Sequence, residues 1–120
     1  MPRYVDGFVL CIPKKNLAAY KRMALAAGKV WKKHGALDYL ECVGDDLETP
    51  CGVPFPRLAK VKKGETVFFS YIVYKSRAHR DAVNAKVMKD PRILNMTKGK
   101  KMPFDMKRMS HGGFKALVDL

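Results

Sequence analysis

The chain has 120 residues, the length of one domain, and we expect residues 1–120 to form a single domain. Lysine and arginine number 24 against 11 acidic residues, which gives a formal net charge of +13. With 48% hydrophobic residues the composition is not that of a disordered chain, and no apolar run approaches the roughly 20 residues of a membrane span. The N-terminus lacks the apolar core of a signal peptide. We therefore expect a soluble cytoplasmic protein without a membrane partner.

The first third of the chain is predicted to form strand, helix and strand. Residues 4–12 are rich in β-branched and aromatic side chains and are apolar on both alternating faces, which predicts a buried strand. Residues 14–34 carry apolar side chains at three- and four-residue steps, which predicts a helix ending before Gly35. Gly28 lies inside that helix, where it indicates close packing. Residues 36–43 are predicted to be the second strand.

The remainder alternates in the same way after a connection rich in proline and glycine at residues 44–63. The clearest strand in the chain is predicted at residues 66–74. Ser76 is a suitable N-cap for a second helix that runs to residue 89. Residues 93–110 are predicted to form a short helix and a loop, and residues 113–120 the final strand. Five methionines fall between Met88 and Met109; a Cu(I) site is conceivable there, but their irregular spacing favours flexible apolar packing.

The resulting β-α-β-β-α-β order is that of ferredoxin-like α+β domains. Right-handed crossovers place both helices on one face of a four-stranded antiparallel sheet. The first and third strands are apolar on both faces, so the helix-free face of the sheet needs a cover. A symmetric homodimer through that face is the simplest assembly that supplies one.

Four sequence blocks resemble those of one bacterial family. In chain order they are VDGFVLCIPKKNLAAYKRMA, GKVWKKHGALDYLECVGDD, GETVFFSYIVYKSRAHRDAVNAKVMKDPR and MPFDMKRMSHGGFKALVD. They resemble the YbaA-like family, domain of unknown function 1428, over nearly the whole chain. The resemblance implies a dimeric α+β barrel built from two ferredoxin-like sheets. It implies no activity and supplies no site residues.

The start of the second predicted helix carries the clearest site signal. Free backbone N–H groups beyond Ser76, together with Arg77 and Arg80, suit an anion such as a carboxylate or phosphate. His79 is expected to point toward the sheet, where it is a candidate acid, base or hydrogen-bond donor. In the structural alternative, Ser76 is a cap, Arg80 is solvated and His79 is a core histidine.

Asp6 lies within the first strand, where a carboxylate is costly unless it is paired. Arg77, Lys75 or a histidine is its expected partner. Asp6, Tyr71 and His79 are candidate catalytic residues, provided that the first two face the helices, because one residue of register moves a side chain to the other face. We predict that the best cleft is lined by His79 and at least one of Asp6, Tyr71 and Arg77.

Trp31, His34 and Asp38 form a second candidate group for ligand binding. Trp31 and His34 share a face near the end of the first helix, and a histidine beside a carboxylate is a plausible acid–base pair. The structural alternative is favoured, with Trp31 in the core and His34 complementing the helix C-terminus.

The basic charge suggests an alternative partner. Residues that would contact nucleic acid on the first helix are Lys14, Lys15, Arg22, Lys29, Lys32 and Lys33. No RNA- or DNA-binding motif accompanies them, and a solvated helix face is the favoured explanation. Nucleotide, zinc-protease and serine-hydrolase motifs are missing from the sequence, so we predict no cofactor and no metal.

Three functions follow from these observations. The leading hypothesis is a homodimer that binds a small organic or anionic molecule in a cleft between helices and sheet, with or without acting on it. The second is an RNA- or DNA-associated protein that uses its basic surface. The third is a non-catalytic, stress-related dimer.

Overall fold

The computed structural model describes residues 2–120. Its elements, in chain order, are β1 (Tyr4–Pro13), α1 (Leu17–Lys33), β2 (Asp38–Val43), α2 (Phe55–Leu58), β3 (Glu65–Tyr74), α3 (Arg77–Met88), α4 (Pro91–Thr97) and β4 (Ser110–Lys115). Single 3₁₀ turns, Lys14–Asn16 and Met106–Arg108, precede α1 and β4. Among the helices of residues 2–120, none is long and apolar enough to cross a membrane.

The four strands form one antiparallel sheet in the order β2-β3-β1-β4. The two central strands, β1 and β3, pair over ten residues, from Tyr4 opposite Tyr74 to Pro13 opposite Glu65. The ferredoxin-like α+β fold predicted from the sequence is thereby confirmed. The N-cap at Ser76 is also confirmed, because its hydroxyl accepts a hydrogen bond from the backbone N–H of His79 at 3.1 Å.

The register decides which side chains face the helices. In the pairing of β1 with β3, Asp6 lies opposite Ile72 and Phe8 lies opposite Ser70. In the pairing of β2 with β3, Glu41 lies opposite the same Ser70. These side chains share the face covered by α1 and α3, since successive residues of a strand point to opposite faces. Tyr71 and Phe69 therefore belong to the helix-free face.

The last strand differs from the prediction. It spans Ser110–Lys115 rather than residues 113–120. Lys115 already lies opposite Tyr4, the first residue of β1, so residues beyond it have no strand to pair with. The chain instead turns along Arg3, whose carbonyl accepts from Ala116 N at 2.9 Å and whose guanidinium binds Asp119.

The helix-free face carries exposed apolar side chains. Leu40 is 42% exposed, Phe69 47% and Phe114 63%, and these come from three different strands. The short helix α2 covers part of this face, with the rings of Phe55 and Phe69 edge to face at 6.3 Å. Cys11, Val67 and Val73 on this face are buried within the single chain, so the open part of the face is the area around the exposed side chains.

Candidate functional site

A cavity of about 580 Å³ lies between the helices and the sheet. It separates two clusters of buried side chains that both touch Phe8. The larger cluster contains Tyr4, Val30, Ala36, Ile72, Tyr74, Val83, Val87 and Ile93, and the smaller one Leu10, Ile12, Tyr20, Ala24 and Phe68. The core of this fold is therefore divided around a space large enough for a small molecule.

Methionines form much of the cavity wall. The six that line it are Met23, Met88, Met96, Met102, Met106 and Met109. Met88 and Met106 are both 53% exposed, so they mark where the cavity opens to solvent. Thioether side chains are unbranched and polarizable, and they adapt to the shape of what they contact. The irregular spacing of these methionines reflects a shared cavity rather than a helical stripe.

Asp6 is one of two carboxylates at the cavity. It is only 6% exposed, and Arg80 Nη1 donates to its Oδ1 at 2.9 Å. The partner of Asp6 is thus Arg80, and the prediction of Arg77, Lys75 or a histidine is wrong because α3 turns the side chain at position 80 toward the sheet. The Arg80 guanidinium also lies over the Tyr4 ring, 4.9 Å from its centroid. Burial raises the pKa of Asp6 above its usual range, although Arg80 opposes the rise.

Asn84 links this ion pair to the aromatic side of the cavity. Its Oδ1 accepts from Trp31 Nε1 at 3.1 Å and from the Tyr74 hydroxyl at 3.2 Å. Asn84 also opposes the rise in the pKa of Asp6. Together with the Arg80–Asp6 ion pair, these hydrogen bonds tie α1, α3 and the two central strands together at the polar end of the cavity.

Glu41 is the second carboxylate at the cavity. Its Oε1 accepts from the Tyr20 hydroxyl at 2.7 Å and from the Ser70 hydroxyl, and its Oε2 accepts from the Tyr39 hydroxyl at 2.8 Å. Burial and the neighbouring carboxylate raise the pKa of both tyrosines, so their phenols stay protonated and donate. Sequence reasoning missed Glu41, because residues 36–43 carry no motif and its three donors lie on other elements or two residues away.

A second hollow of about 1020 Å³ lies on the outer side of α1, against β2. Four residues line both spaces and form the partition between them: Tyr20, Ala24, Tyr39 and Glu41. The outer groove also includes Asp38, and four exposed lysines border it: Lys21, Lys29, Lys32 and Lys33.

His79 does not reach the cavity. Its Nδ1 accepts from the backbone N–H of Lys75 at 2.9 Å, and its ring packs edge to face on Tyr74 at 6.0 Å. The other ring nitrogen faces Gly35. His79 thus packs between the start of α3 and the end of α1. Arg77 is exposed and lies away from the cavity. The prediction that His79 lines the cleft is wrong, since its ring is held by its own helix N-terminus.

Tyr71 lies on the opposite side of the sheet from Asp6. Tyr71 is paired with Gly7, which is the pair next to Asp6 and Ile72 along the two strands. Because successive side chains of a strand point to opposite faces, Tyr71 points away from the face of Asp6. The expected meeting of Asp6, Tyr71 and His79 does not occur. The register places Tyr71 beside Phe69 on the helix-free face, with ring centroids 6.2 Å apart.

Trp31, His34 and Asp38 also lie apart. Trp31 lines the cavity, whereas Asp38 is exposed at the outer groove. His34 Nε2 lies 2.8 Å from Asp90 Oδ2 instead, and Arg92 holds the same carboxylate. Arg92 and His34 together hold the pKa of Asp90 well below its usual range. This cluster caps α4, so the predicted His34–Asp38 pair is wrong.

The six basic residues considered for nucleic-acid binding are all exposed. Arg22, Lys29 and Lys33 follow one another at steps of seven and four residues, so they lie along one line of α1. Lys15 and Arg22 also border a shallow depression with Lys100 and Lys101. Lys32 is partly engaged, since its Nζ donates to the carbonyl of Leu37 at 2.6 Å.

Comparison with known proteins places the chain in a family. Residues 3–106 match the family model described as protein of unknown function (DUF1428). The chain belongs to this family. It is 42% identical over 117 residues to the uncharacterized protein YbaA of Escherichia coli strain K12, with 98% of each chain covered.

Solved structures share the fold at low sequence identity. A dimeric ferredoxin-like protein from an uncultured marine organism matches with a TM-score of 0.56 and 14% identity, covering 100% of both chains. A mutant of SnoaB, a cofactor-independent oxygenase from Streptomyces nogalater, matches with a TM-score of 0.57 and 12% identity, covering 100% of this chain and 98% of that one. At these identities the likeness shows the fold alone.

Proposed function

We propose that this protein binds a small, largely apolar organic molecule in the cavity between the helices and the sheet. The observation that carries the proposal is the cavity itself, about 580 Å³ with methionine and aromatic walls and a few fixed polar groups. Small-molecule sites are usually concave and mostly apolar, with a few polar groups that orient the ligand. Trp31, Asp6 and Arg80 are the sequence-predicted residues that line it.

The polar groups of the cavity lining favour an organic ligand without negative charge over an anionic one. Arg80 already donates to Asp6 through Nη1, and Asp81 Oδ1 lies 2.9 Å from the Arg80 Nε, although the two are not aligned as a hydrogen bond. Glu41 adds a second carboxylate to the lining. For acid–base chemistry on the bound molecule we propose Asp6, since its raised pKa brings it closer to neutral pH than an ordinary aspartate.

Filling the cavity tests the proposal. Ala27 lines the cavity, and its neighbour Ala26 on α1 is exposed. We would titrate 2-naphthol, a two-ring probe, into protein labelled with ¹³C at the methionine methyl groups. The cavity methionines should shift in the wild type and in Ala26→Phe, whereas Ala27→Phe should abolish the shifts. Saturable binding that survives in Ala27→Phe, or no binding to the wild type, would refute the cavity as the site.

We also propose that the protein is a homodimer joined through its helix-free faces. The exposed side chains of Leu40, Phe69 and Phe114 support this assembly, because contiguous apolar surface on a sheet normally has a partner. A twofold axis lets the same patch cover itself. The marine protein with the same fold is described as dimeric.

Nucleic-acid binding is the alternative function that a specific observation favours. The line of exposed cations formed by Arg22, Lys29 and Lys33 has the character of a phosphate-contacting surface. It involves the outer side of α1, opposite the ligand cavity, so the two proposals can be tested separately.

A further inference from the structure

Glu41 differs from the other shielded carboxylates of the chain. Asp6, Glu65 and Asp90 each pair with an arginine. Glu41 is also half-buried, yet it has no ion-pair partner among residues 2–120. In a chain with a net charge of +13, a partly buried acid without a cation is unexpected on structural grounds alone.

The hydrogen bonds of Glu41 are unequally distributed between its oxygens. A carboxylate offers about four acceptor positions, two on each oxygen. Oε1 has two donors, the hydroxyls of Tyr20 and Ser70, but Oε2 has only the hydroxyl of Tyr39. One acceptor position therefore remains on Oε2.

The cavity lining has no lysine or arginine to spare for that position. Within the part of the chain that the structure describes, Arg80 is the one lysine or arginine that lines the cavity, and it is bound to Asp6. On its other side Glu41 lines the outer groove that four exposed lysines border, but none of these lysines forms an ion pair with it. A donor brought in by a ligand would gain a charge-assisted hydrogen bond in surroundings that exclude much of the competing water.

We propose that Glu41 Oε2 accepts a hydrogen bond from the ligand, which is therefore a compact apolar molecule bearing a hydroxyl or a protonated amine. This inference rests on the proposed function, because it names the ligand class of the same cavity. Tyr20 and Ser70 act as positioning residues, because both donate to Oε1 and so hold the carboxylate with a position on Oε2 available. The ligand's apolar body lies against the methionines, and its donor group faces β2.

Matched two-ring probes test the inference. Naphthalene has no donor, 2-naphthol has a hydroxyl, 2-naphthylmethylamine has an ammonium, and 2-naphthoate has an anion. Calorimetric titration of the wild type should give 2-naphthol or the amine an affinity at least about tenfold above that of naphthalene, with 2-naphthoate the weakest. Comparison of the affinities of 2-naphthol and 2-naphthylmethylamine shows whether a hydroxyl or an ammonium group is the preferred donor.

Substitution of Glu41 locates the preference. Glu41→Gln should reduce the donor preference to about threefold or less while naphthalene affinity stays unchanged, and Glu48→Gln in the exposed connection is the control. Tyr39→Phe keeps the carboxylate and frees a further acceptor position on Oε2, so the preference should increase, and an unchanged or smaller preference would overturn Oε2 as the acceptor. This second variant is informative even if Glu41→Gln does not fold.

The outcomes separate the two proposals. Equal affinities for naphthalene, 2-naphthol and 2-naphthylmethylamine, with the binding of all three abolished in Ala27→Phe, would overturn the role of Glu41 and leave the cavity as a binding site. A donor preference that persists in Glu41→Gln would do the same. Failure of all four probes to bind would refute the proposed function itself.

Discussion

The ring of Tyr39 lies against the backbone of Gly28: a Cβ at Gly28 would sit 2.7 Å from two carbons of that ring. This contact between α1 and β2 fixes the ring whose hydroxyl donates to Glu41. The close packing predicted for Gly28 from the sequence is thus confirmed, and it belongs to the partition beside the cavity.

Gly28→Ala should lower stability in spite of the better helix propensity of alanine. Alanine gains about 1 kcal/mol of propensity, but the overlap with Tyr39 should cost roughly 1–3 kcal/mol and displace the ring. Urea unfolding would measure the net loss. Ala26→Gly, on the exposed side of the same turn, should lose only about 1 kcal/mol through propensity. A more stable Gly28→Ala variant would contradict the packing described here.

Arg80→Met should be strongly destabilising because it leaves Asp6 buried without its cation. Breaking one side of a buried ion pair typically costs about 3–5 kcal/mol. The pKa of Asp6, already raised by burial, should rise further. Since a raised pKa favours the protonated folded form, the deficit should be smallest in acid and grow as the pH rises through that pKa. The exposed Arg77→Met is the control and should change stability by less than about 0.5 kcal/mol.

Asp90→Asn should lower stability at neutral pH and matter less in acid. Its pKa is held low by Arg92 and His34, so its contribution is complete above the unfolded value of about 4 and is lost as the pH falls toward the folded value. Melting curves of the two proteins should therefore converge between about pH 4 and pH 2. Asp46→Asn, in the exposed connection, should show no such convergence. A constant difference across this range would exclude titration of Asp90 as its source.

Light scattering tests the homodimer. At micromolar concentration the mass should be twice 13.6 kDa. Phe69→Lys should give the monomer, because a lysine there would place a charge in the centre of the apolar face. Leu25→Lys replaces a similarly exposed apolar residue on α1 and should leave the mass unchanged. A wild-type monomer would rule out the proposed face-to-face assembly.

Salt titration tests the nucleic-acid alternative. Specific RNA binding would persist at ~0.15 M salt and distinguish between RNA sequences. Replacing Arg22, Lys29 and Lys33 by alanine would then make the salt dependence of the affinity weaker, by the amount expected for the loss of about three phosphate contacts. We expect only weak, uniform binding that disappears at moderate salt. Sequence-selective binding at that salt concentration would reverse this expectation.

Hydrophobic alternation and helix spacing were sufficient to predict the fold. The strand order followed from the element order and crossover handedness, and Asp6 was singled out because an acid inside an apolar strand needs a partner. The final strand was misplaced because GFKALVDL alternates between apolar and polar residues, whereas SHGGFK contains a single large apolar side chain. Only the position of Tyr4, the start of β1, decides where pairing ends.

The site was harder to predict because its members are brought together only by tertiary structure. Glu41 meets Tyr20 across 21 residues and Ser70 across 29. The face to which Tyr71 points depends on the strand register to within one residue, and no local sequence pattern reveals that register. His79 resembled a site residue because it lies beside a helix N-terminus, but its ring accepts a hydrogen bond from that same turn.

The order in which the strands pair has a consequence for biosynthesis. Both neighbours of β1 in the sheet, β3 and β4, come later in the chain, so β1 leaves the ribosome well before either of its partners. Tyr4 pairs with Tyr74, and at translation rates of about 5–20 residues per second the wait is roughly 3–14 s. During that time the apolar stretch FVLCI has no sheet to join. Nascent chains stalled before β3 should therefore recruit chaperones, and those extended beyond β4 should release them.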